Sequence, residues 1–354
     1  MIRVTRKNKN NESRLPLTIS AQYGLVDQIS FFNKVVASND MSNYYLLHNG
    51  EFAYNKSYSG DYPWGAIKRL DRYEKGALSS LYICFAPQKV VHSDFLVHYF
   101  ESPKWHKEVS NIAGEGARNH GLLNIAVPDF FNTRHWVPSN RTEQKKIAAL
   151  FNLIEKRIQT QKKIIEKYES LIRGLYHSCF CNSESTTTKL SDVVTIVKGK
   201  QVNGENLLEN GQYYVMNGGI EPSGYLNEYN TPADTISISE GGNSCGYVQY
   251  NKEPFWSGGH CYSLMPKSEN ICYRFLYHFL KYKENDIMAL RIGSGLPNVQ
   301  KKDLERFEVQ LPSLERQIEV TTMLDTISAK RDLERHLHHV WQSQKEYLLG
   351  GIFI

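Results

Sequence analysis

The sequence has no long hydrophobic run, and its cysteines follow no recognisable pattern. No uninterrupted apolar stretch approaches the ~20 residues that a membrane helix needs, and no apolar core of a signal peptide follows Met1. The six cysteines contain no C-x-x-C pair and no spacing typical of a disulfide framework. These absences argue against a membrane span, a secretory leader and a disulfide-stapled fold. They predict reduced thiols in a cytoplasmic protein.

Several motifs of common catalytic sites are also missing. None of the 12 prolines is adjacent to another, so the N/D-P-P-Y/F tetrapeptide of DNA adenine methyltransferases is absent. There is no G-x-x-x-x-G-K-[ST] phosphate loop and no H-E-x-x-H zinc motif. The Gly-x-Gly pairs at Gly114 and Gly293 lie in β-rich segments, whereas a dinucleotide fingerprint opens a helix after a strand. We therefore predict no catalytic residue, no cofactor site and no metal site, which favours a recognition protein over an enzyme.

Positive charge is concentrated in the first half of the chain. The net charge is +5, and residues 1–138 carry 16 Lys and Arg against 12 Asp and Glu. Residues 139–179 carry nine against four, residues 180–311 carry 12 against 15, and residues 312–354 carry five against six. The first half suits a polyanionic partner. A similar role for residues 180–311 requires a local cationic patch.

A helix-forming segment occurs twice, at residues 137–176 and at residues 311–349. Aligning Gln144 with Gln317 superimposes the apolar positions of the two copies at an offset of 173 residues. A repeat of such long period predicts a duplicated architecture. At ~1.5 Å rise per residue, the first copy predicts a helix ~57 Å long.

Both copies carry a heptad-like apolar seam. Neither Pro nor Gly interrupts the first copy between Arg141 and Gly174, and only Gln161 is polar along its seam. The second copy places three polar residues in mid-seam, so we expect it to pair with the first copy and not with itself. The first copy also carries seven Lys and Arg between residues 145 and 167. These residues either form a solvated exterior or contact phosphates or another protein. The predicted helix-pairing residues are Ile147, Phe151, Ile154, Ile158, Ile165, Tyr168, Ile172, Leu175, Val320, Leu324, Ile327, Leu337, Trp341 and Leu348.

The two remaining segments, residues 1–138 and 189–311, are rich in Tyr, Ser, Gly and Asn and contain short β-like runs. Each also contains one amphipathic helix candidate, Ser93 to Phe100 and Arg274 to Lys281. A weaker repeat relates the two segments, at an offset of 179 between residues 113–119 and 292–298 and of 180 between residues 79–82 and 259–262. We predict an α/β (α+β) fold with a pseudo-two-fold internal repeat. Its domains are 1–138, a long helix at 139–179, a linker at 180–188, a second domain at 189–311 and a second long helix at 312–354.

These features resemble the specificity (S) subunit of type I restriction–modification enzymes. The resemblance is carried by the Pro-Ser entry into a long helix, repeated after each of two variable domains. It is also carried by Leu17-Thr-Ile-Ser-Ala-Gln-Tyr-Gly24, Gly50-Glu-Phe-Ala-Tyr-Asn-Lys-Ser57 and Gly293-Ser-Gly-Leu-Pro-Asn-Val299. Family members usually begin with a segment equivalent to Lys189-Leu-Ser-Asp-Val-Val194. The first domain here begins at Met1-Ile-Arg-Val, so the resemblance predicts that a strand or helix is missing before it.

The resemblance implies a non-catalytic DNA-binding subunit. Each of two β-rich target recognition domains would read one half of a bipartite, asymmetric site in double-stranded DNA. The two long helices would form an antiparallel coiled coil, set the spacer and dock two methyltransferase subunits, and restriction subunits would join that core. S-adenosylmethionine, ATP and Mg would then be bound by the partner subunits and not by this chain.

Readers of DNA sequence place side chains at base edges and hold them with phosphate contacts. We therefore searched the loops for Arg, Lys, Asn, Gln, Ser and aromatic residues. The lysines are alternatively generic surface residues, and Tyr58 and Trp64 alternatively pack in a core. The candidate DNA-binding residues are Lys56, Tyr58, Trp64, Lys68, Arg69, Arg118, Asn119, Lys198, Lys200, Gln201, Asn203, Asn217, Asn243, Ser244, Arg291, Lys301 and Lys302.

Two other classes of function remain open at this point. One is a scaffold with two carbohydrate- or protein-binding β domains on a helical hairpin, which the acidic balance of residues 180–311 favours. The other is an enzyme with a site between the domains, which the missing catalytic motifs disfavour. A gel shift with the methyltransferase partner present discriminates, because a scaffold predicts no sequence-selective shift.

Overall fold

The structure is a computed structural model that describes residues 1–114, 121–181, 185–268, 270–293, 295 and 297–353. By compactness the chain divides into unit 1, residues 1–162 with 336–354, and unit 2, residues 163–335. Both long helices have one part in each unit. The strands are β1 Ile2–Arg3, β2 Pro16–Ser20, β3 Gly24–Asp27, β4 Tyr45–His48, β5 Phe52–Asn55, β6 Ala66–Arg69, β7 Lys75–Leu78, β8 Ile83–Ala86, β9 Thr186–Lys189, β10 Val194–Lys198, β11 Tyr213–Met216, β12 Tyr225–Leu226, β13 Thr235–Ser239, β14 Val248–Asn251, β15 Trp256–Ser257, β16 Cys261–Pro266 and β17 Glu308–Leu311. The helices are α1 Gln28–Phe32, α2 Ser93–Tyr99, α3 His106–Ile112, α4 Val127–Asn132, α5 Arg141–Cys181, α6 Leu190–Val193, α7 Tyr273–Tyr282, α8 Glu284–Ala289, α9 Lys301–Glu305 and α10 Leu314–Gly351.

Unit 1 contains two small sheets, ordered β1-β8-β5-β6 and β3-β2-β7-β4. Alternation along β5 sends its side chains into two cores. Phe52 and Tyr54 enter an aromatic core with α2, and Ala53 faces a second core against the other sheet. Phe52 stacks on Phe85 at 5.4 Å between ring centroids, which ties β5 to β8.

Unit 2 is built on an antiparallel sheet ordered β10-β16-β13-β14. The Thr-Ile-Ser-Ile-Ser sequence of β13 alternates as a strand with two different faces does. Ile236 and Ile238 are fully buried in the core that α7 covers. On the polar face, Ser237 accepts a hydrogen bond from Asn251 Nδ2 at 2.9 Å, and Ser239 donates one to the Gly218 carbonyl at 2.6 Å. Ser239 is the last residue of β13, so this polar face ends at the loop that follows the strand.

The two long helices pack together, and they run antiparallel where unit 1 shows their contacts. Phe151 of α5 stacks on Phe353 just after α10, and Glu155 of α5 contacts Lys345 of α10. The numbers rise along α5 as they fall along α10. In unit 2, Glu169 of α5 accepts from Arg335 of α10 at 2.6 Å. The predicted fold class, two β-rich parts with two long paired helices, is confirmed.

The amphipathic segments in the two β-rich parts are helices α2 and α7, as predicted, and a buried glutamine holds the start of each. Gln144 Oε1 accepts from the backbone of His92, the N-cap residue of α2, at 2.7 Å. Gln317 Oε1 accepts from the backbone of Cys272, the N-cap residue of α7, at 3.0 Å. Both glutamines also donate to the proline carbonyl that precedes their own long helix. The two residues that define the sequence repeat therefore perform the same structural task.

Two buried histidines extend this equivalence. His98 Nε2 lies 2.8 Å from Asn152 Oδ1, and His278 Nε2 lies 2.8 Å from Asp325 Oδ1. The histidines differ by 180 residues and their partners by 173, which are two of the offsets of the sequence repeat. Domain helix and long helix therefore meet in the same geometry in both units.

Each domain helix is also covered by an aromatic residue from the end of a long helix. Phe180, near the end of α5, packs on Phe275 and Phe279 of α7 at 5.5 and 5.6 Å. Phe353 packs on Phe95 of α2 at 5.3 Å. Because Phe180 and Phe353 are also 173 residues apart, the repeat extends to the last described residues of the chain.

Candidate functional site

In unit 2, the loops after β10, β11 and β13 meet the loop before β16. Lys198, the last residue of β10, forms an ion pair with Glu240 at 2.7 Å. Asn217 Oδ1, just after β11, accepts from the backbone of His260 at 3.2 Å. His260 Nδ1 lies 3.8 Å from the second oxygen of Glu240, with 60% of its side chain exposed. We call this set of loops the unit 2 loop cluster.

Glu240 is the largely buried centre of that cluster. It accepts from Tyr262 Oη at 3.0 Å as well as from Lys198, and its side chain is 13% exposed. Burial and the adjacent Glu240 carboxylate raise the pKa of Tyr262 well above its usual range, so its hydroxyl remains a donor. Glu240 and His260 were not among the predicted site residues. Their sequence signal, an acidic residue before Gly241–Gly242 and a histidine after Gly258–Gly259, is visible only once the loops are known to meet.

Glycines let the cluster close. A Cβ on Gly199 would lie 2.1 Å from the Gly258 carbonyl, and a Cβ on Gly258 would lie 2.6 Å from Asn217 Oδ1. Neither approach is compatible with a side chain. Gln201 lies against the same turn, since its Oε1 is 2.2 Å from where a Cβ of Gly259 would stand. Gln201 and Asn217 thus both lie against the Gly258–Gly259 turn.

A second segment, of which residues 291–293, 295 and 297–299 are described, contacts the loop after β13 through Pro297 and Val299. Gly242 donates to the Pro297 carbonyl at 3.1 Å, and Val299 donates to the Glu240 carbonyl at 2.8 Å. The cluster thus brings together a subset of the predicted second-domain residues: Lys198, Lys200, Gln201 and Asn217 directly, and Asn243, Ser244 and Arg291 through this segment. Lys301 reaches the cluster through its backbone, which hydrogen-bonds to Tyr262, while its side chain faces Glu305 at 3.8 Å. Asn203 lies in the loop after β10, and Lys302 lies in α9.

Gly242 to Gly246 spells Gly-x-Ser-x-Gly, the pattern of a hydrolase nucleophile elbow around Ser244. Such an elbow is a turn from a strand into a helix. Here the segment is a turn between two antiparallel strands, β13 and β14, and Gly246 donates back to Ser239 at 2.8 Å. The motif therefore serves as a hairpin turn and supports no hydrolase.

In unit 1, Lys56, Ser57 and Tyr58 follow β5 and pair with residues 121–123. Tyr58 donates to the Gly121 carbonyl at 3.1 Å, and Leu123 donates to the Lys56 carbonyl at 2.9 Å. Tyr58 is 42% exposed. Arg118 and Asn119, also predicted to contact DNA, lie outside the described residues. We call residues 56–58 with 121–123 the unit 1 loop pair.

The other three predicted residues of unit 1 lie elsewhere. Trp64 is half-buried against the aromatic core, and its carbonyl accepts from Tyr54 Oη at 2.8 Å. Lys68 pairs with Glu101 at 2.7 Å, and Arg69 pairs with Asp71 and Asp94, each at 2.6 Å. The predicted loop residues of unit 1 are therefore divided: Lys56 and Tyr58 lie in a loop, whereas Lys68 and Arg69 lie in strand β6 and are paired.

Lys68 belongs to a larger charge cluster with Glu101, Lys345 and Glu155. Lys345 Nζ lies 2.9 Å from Glu101 and 2.8 Å from Glu155, and its side chain is 18% exposed. Burial alone would raise the pKa of Glu101, but the Lys68 and Lys345 ammonium groups lower it to about 2. This cluster joins β6, the end of α2 and both long helices, so its role within unit 1 is structural.

The predicted helix-pairing residues are all buried or half-buried. Gln161, the polar residue of the α5 seam, is 3% exposed. In the described part of the chain, no three His, Cys, Asp or Glu residues are placed to hold a metal ion. No helix there is long and apolar enough to cross a membrane.

Comparisons with known proteins agree with this architecture. Residues 182–340 match the family model described as type I restriction modification DNA specificity domain. The chain is 28% identical over 180 residues to a putative type I specificity subunit of Mycoplasma genitalium, covering 47% of each protein. It is 36% identical over 131 residues to one of Mycoplasma pneumoniae, covering 37% of this chain and 35% of the relative. The matches thus span half or less of the length of these curated relatives.

Solved structures share the fold over most of the chain. A type I restriction–modification S subunit from M. genitalium superimposes with a TM-score of 0.67 at 20% identity, covering 90% of this chain and 87% of that one. A chain from a structure on complex assembly and conformational transition of the type I system gives 0.59 at 15% identity, covering 99% and 94%. The chain is thus similar in sequence to the type I specificity domain over residues 182–340, and it shares its fold with these solved chains over most of its length.

Proposed function

We propose that the chain is the non-catalytic DNA-reading subunit of a type I restriction–modification complex, and that each unit reads one half of a bipartite, asymmetric DNA site. The observation that carries the proposal is the combination of one duplicated helical frame with two dissimilar polar loop clusters. The repeated long helices pack on the domain helix of each unit in the same way. Different loops on this frame suit two different half-sites.

The unit 2 loop cluster has the chemistry that base reading needs. Primary amides such as those of Gln201 and Asn217 form paired hydrogen bonds with adenine in the major groove, and exposed lysines contact phosphates. Lys200 is exposed beside Gln201, and Lys198 keeps 55% of its side chain exposed despite its ion pair. This local cationic rim offsets the acidic balance of residues 180–311.

The unit 1 loop pair supplies the other reading surface in this proposal. Tyr58 offers an exposed ring and hydroxyl, and Lys56 lies at the base of the same loop. Arg118 and Asn119 precede Gly121, the residue to which Tyr58 is hydrogen-bonded. Lys68 and Arg69 remain candidates, but their ion pairs must open before they reach a phosphate.

The long helices set the spacer and dock the partners in this proposal. Helix α5 has 41 residues, which at ~1.5 Å per residue exceeds one ~34 Å turn of B-DNA. Both helices keep exposed apolar residues away from their seam, such as Leu153, which is 66% exposed, and Tyr347, which is 81% exposed. Such residues suit contact with two methyltransferase subunits. Adenine methylation and, with restriction subunits, cleavage would then be carried out by the partners.

Selection from a random DNA library tests the proposal. The chain is purified with its methyltransferase subunits, bound DNA is recovered over several rounds, and the enriched sequences are aligned. We expect two short motifs separated by a constant gap. Enrichment of one continuous motif, or of none, would contradict the reading of two half-sites.

The acidic balance of residues 180–311 also favours a second function, a scaffold with carbohydrate- or protein-binding β domains. The same selection separates the two functions, because a scaffold enriches no sequence. A glycan array probed with the purified chain supplies the complementary readout, and the DNA-reading proposal predicts no signal on it.

A further inference from the structure

The inference concerns the two places where a domain helix packs on the long helices. Junction 1, in unit 1, consists of α2 with the first part of α5 and the last part of α10. Junction 2, in unit 2, consists of α7 with the last part of α5 and the first part of α10. The equivalent glutamine, histidine and phenylalanine contacts described above give both junctions one geometry. A second copy of the chain therefore offers each junction an alternative helix end of similar shape.

The charged residues of the two junctions are not equivalent. In junction 1, Lys345 bridges Glu101 and Glu155. The offset of 173 for long-helix residues makes Lys345 equivalent to Ile172 and Glu155 equivalent to Ser328. The offset of 180 for the domain-helix side makes Glu101 equivalent to Lys281. The acid–base–acid arrangement of junction 1 is thus replaced in junction 2 by one lysine and two uncharged residues.

We propose that Lys345 is the residue by which junction 1 selects the C-terminal end of α10 and rejects the equivalent end of α5 from a second copy of the chain. If α5 took that place, Ile172 would stand where Lys345 does. Glu101 would keep Lys68 as its partner, but no ammonium group would lie between Glu101 and Glu155. A half-buried carboxylate pair without that cation is strongly disfavoured.

The opposite exchange is rejected by junction 2. An α10 end placed there would bring Lys345 next to Lys281, a contact between like charges. It would also place Leu349 where Tyr176 stands, at the offset of 173. Tyr176 Oη lies 3.1 Å from His278 Nδ1, and this hydrogen bond would be lost. In junction 1 the corresponding Nδ1 of His98 is buried without a hydrogen-bond partner among the described residues, and Glu155 Oε1 lies 3.9 Å from it.

Selection by charge favours pairing of the long helices within one chain over reciprocal pairing between two copies. The seam already disfavours pairing of α10 with a second α10, because Arg331, Glu334 and His338 lie in its middle, and the charges of the junctions add a second selection. This inference does not rest on DNA reading. It holds for the chain whatever its loops bind.

The test exchanges the two selecting residues in the full chain, K345I with I172K, which leaves composition and net charge unchanged. We expect a thermal midpoint lower by roughly 5–10 °C, since Glu101 and Glu155 lose their cation. We also expect a larger dimer fraction than the wild type at equal concentration, measured by light scattering after size exclusion. K330I, at an exposed lysine of the same helix, is the matched control. Wild-type midpoint and mass in the exchange variant would overturn the proposal.

If the exchange variant does not fold, a milder double-mutant cycle decides. K345M and E101Q each remove one charge with little change in shape. We expect each to lower the midpoint, and the double variant to lose clearly less than the sum of the two. Additive losses would show that Lys345 and Glu101 act independently, and the proposal would fall.

Discussion

Two partly buried carboxylates, Glu101 in unit 1 and Asp325 in unit 2, hold their units together through cationic partners. Burial acts to raise both pKa values, but Lys68 and Lys345 lower that of Glu101 to about 2. His278 and Arg274 lower that of Asp325 to about 2 as well. A carboxyl group with a depressed pKa stabilises the folded state while it is ionised.

Acid should therefore weaken the fold in a defined order. Burial keeps His135 neutral and lowers its pKa from 6.5 to about 4. As the pH falls through that interval, His135 binds a proton in the unfolded state before it does so in the folded state, so the free energy of unfolding decreases. The contributions of Glu101 and Asp325 are present above their unfolded pKa values of 4.5 and 3.8, and are lost as the pH falls toward about 2. Thermal midpoints measured from pH 7 to pH 3 should decline across both intervals.

E101Q is the control for that pH series. It starts from a lower midpoint at pH 7 and should decline less steeply below pH 4.5, because the group that titrates there is gone. A variant with the same acid slope as the wild type would show that Glu101 does not carry this dependence.

Two neighbours in the unit 2 loop cluster should affect DNA binding differently. Q201A should relax sequence preference in one half-site by about 1–3 kcal/mol, the value of a good amide–base contact. K200A should weaken binding to all sequences and reduce the salt slope by about 1, because it removes a phosphate contact. Fluorescence anisotropy across salt concentrations measures both effects. K252A, at an exposed lysine after β14, is the control and should match the wild type.

The type of a polar loop residue can be read from the sequence, but the residues that it contacts cannot. Lys68 and Arg69 are cations in a predicted reading loop, but they pair with Glu101 and Asp94, which lie 33 and 25 residues away. Partners so distant follow only from the fold. Residue type alone predicts Lys198, Gln201 and Asn217 as candidates for DNA contact, and they stay predictions. Glu240 and His260 become candidates only because the loops that carry them meet, which the sequence does not show.

At the scale of elements, the buried glutamines Gln144 and Gln317 bind the long helices to the domain helices. Replacing either by alanine leaves a buried backbone N–H of the domain helix without its acceptor, which costs about 1–3 kcal/mol. Q144A and Q317A should therefore lower stability by similar amounts, measured by urea unfolding. Q344A, at an exposed glutamine of α10, should leave it unchanged. A loss confined to one of the two variants would contradict their equivalence.

The aromatic residues at the ends of the long helices provide a second matched pair. Phe180 and Phe353 are each about 5% exposed or less and pack on a domain helix. Truncating either to alanine should cost about 3–5 kcal/mol through the cavity it leaves. L333A, at a leucine that is 58% exposed, is the control. Hydrogen exchange should locate the F353A effect at α2 and the F180A effect at α7, and a reversed location would contradict the packing described.

Heptad periodicity predicted both long helices and their pairing. Apolar residues that recur at every turn over several heptads are compatible with few structures other than paired helices. It did not predict the role of Phe353, which follows Gly350–Gly351 beyond the periodic segment. The β-like runs Asp234–Ser239 and Gly246–Tyr250 predict β13 and β14 to within two residues. The order of these strands in the sheet was not predicted, because β16 pairs with both β10 and β13 from distant parts of the chain.

At the scale of the whole molecule, duplication made the architecture predictable. Two offsets, 173 and 180, relate contacts in both units, so each half of the sequence carries information about the other. The loops share no such relation. Their conformations depend on close approaches such as that of Gly199 to Gly258, and the bases they would read do not follow from residue types alone.

Sequencing of adenine methylation in cells that carry this gene together with the methyltransferase genes of a type I system tests the central claim most directly. We expect methylated adenines within two short motifs separated by a constant gap, and we expect Q201A to change one motif and leave the other intact. A single continuous motif, methylation that persists when the gene is deleted, or a Q201A variant that alters both motifs would contradict the account.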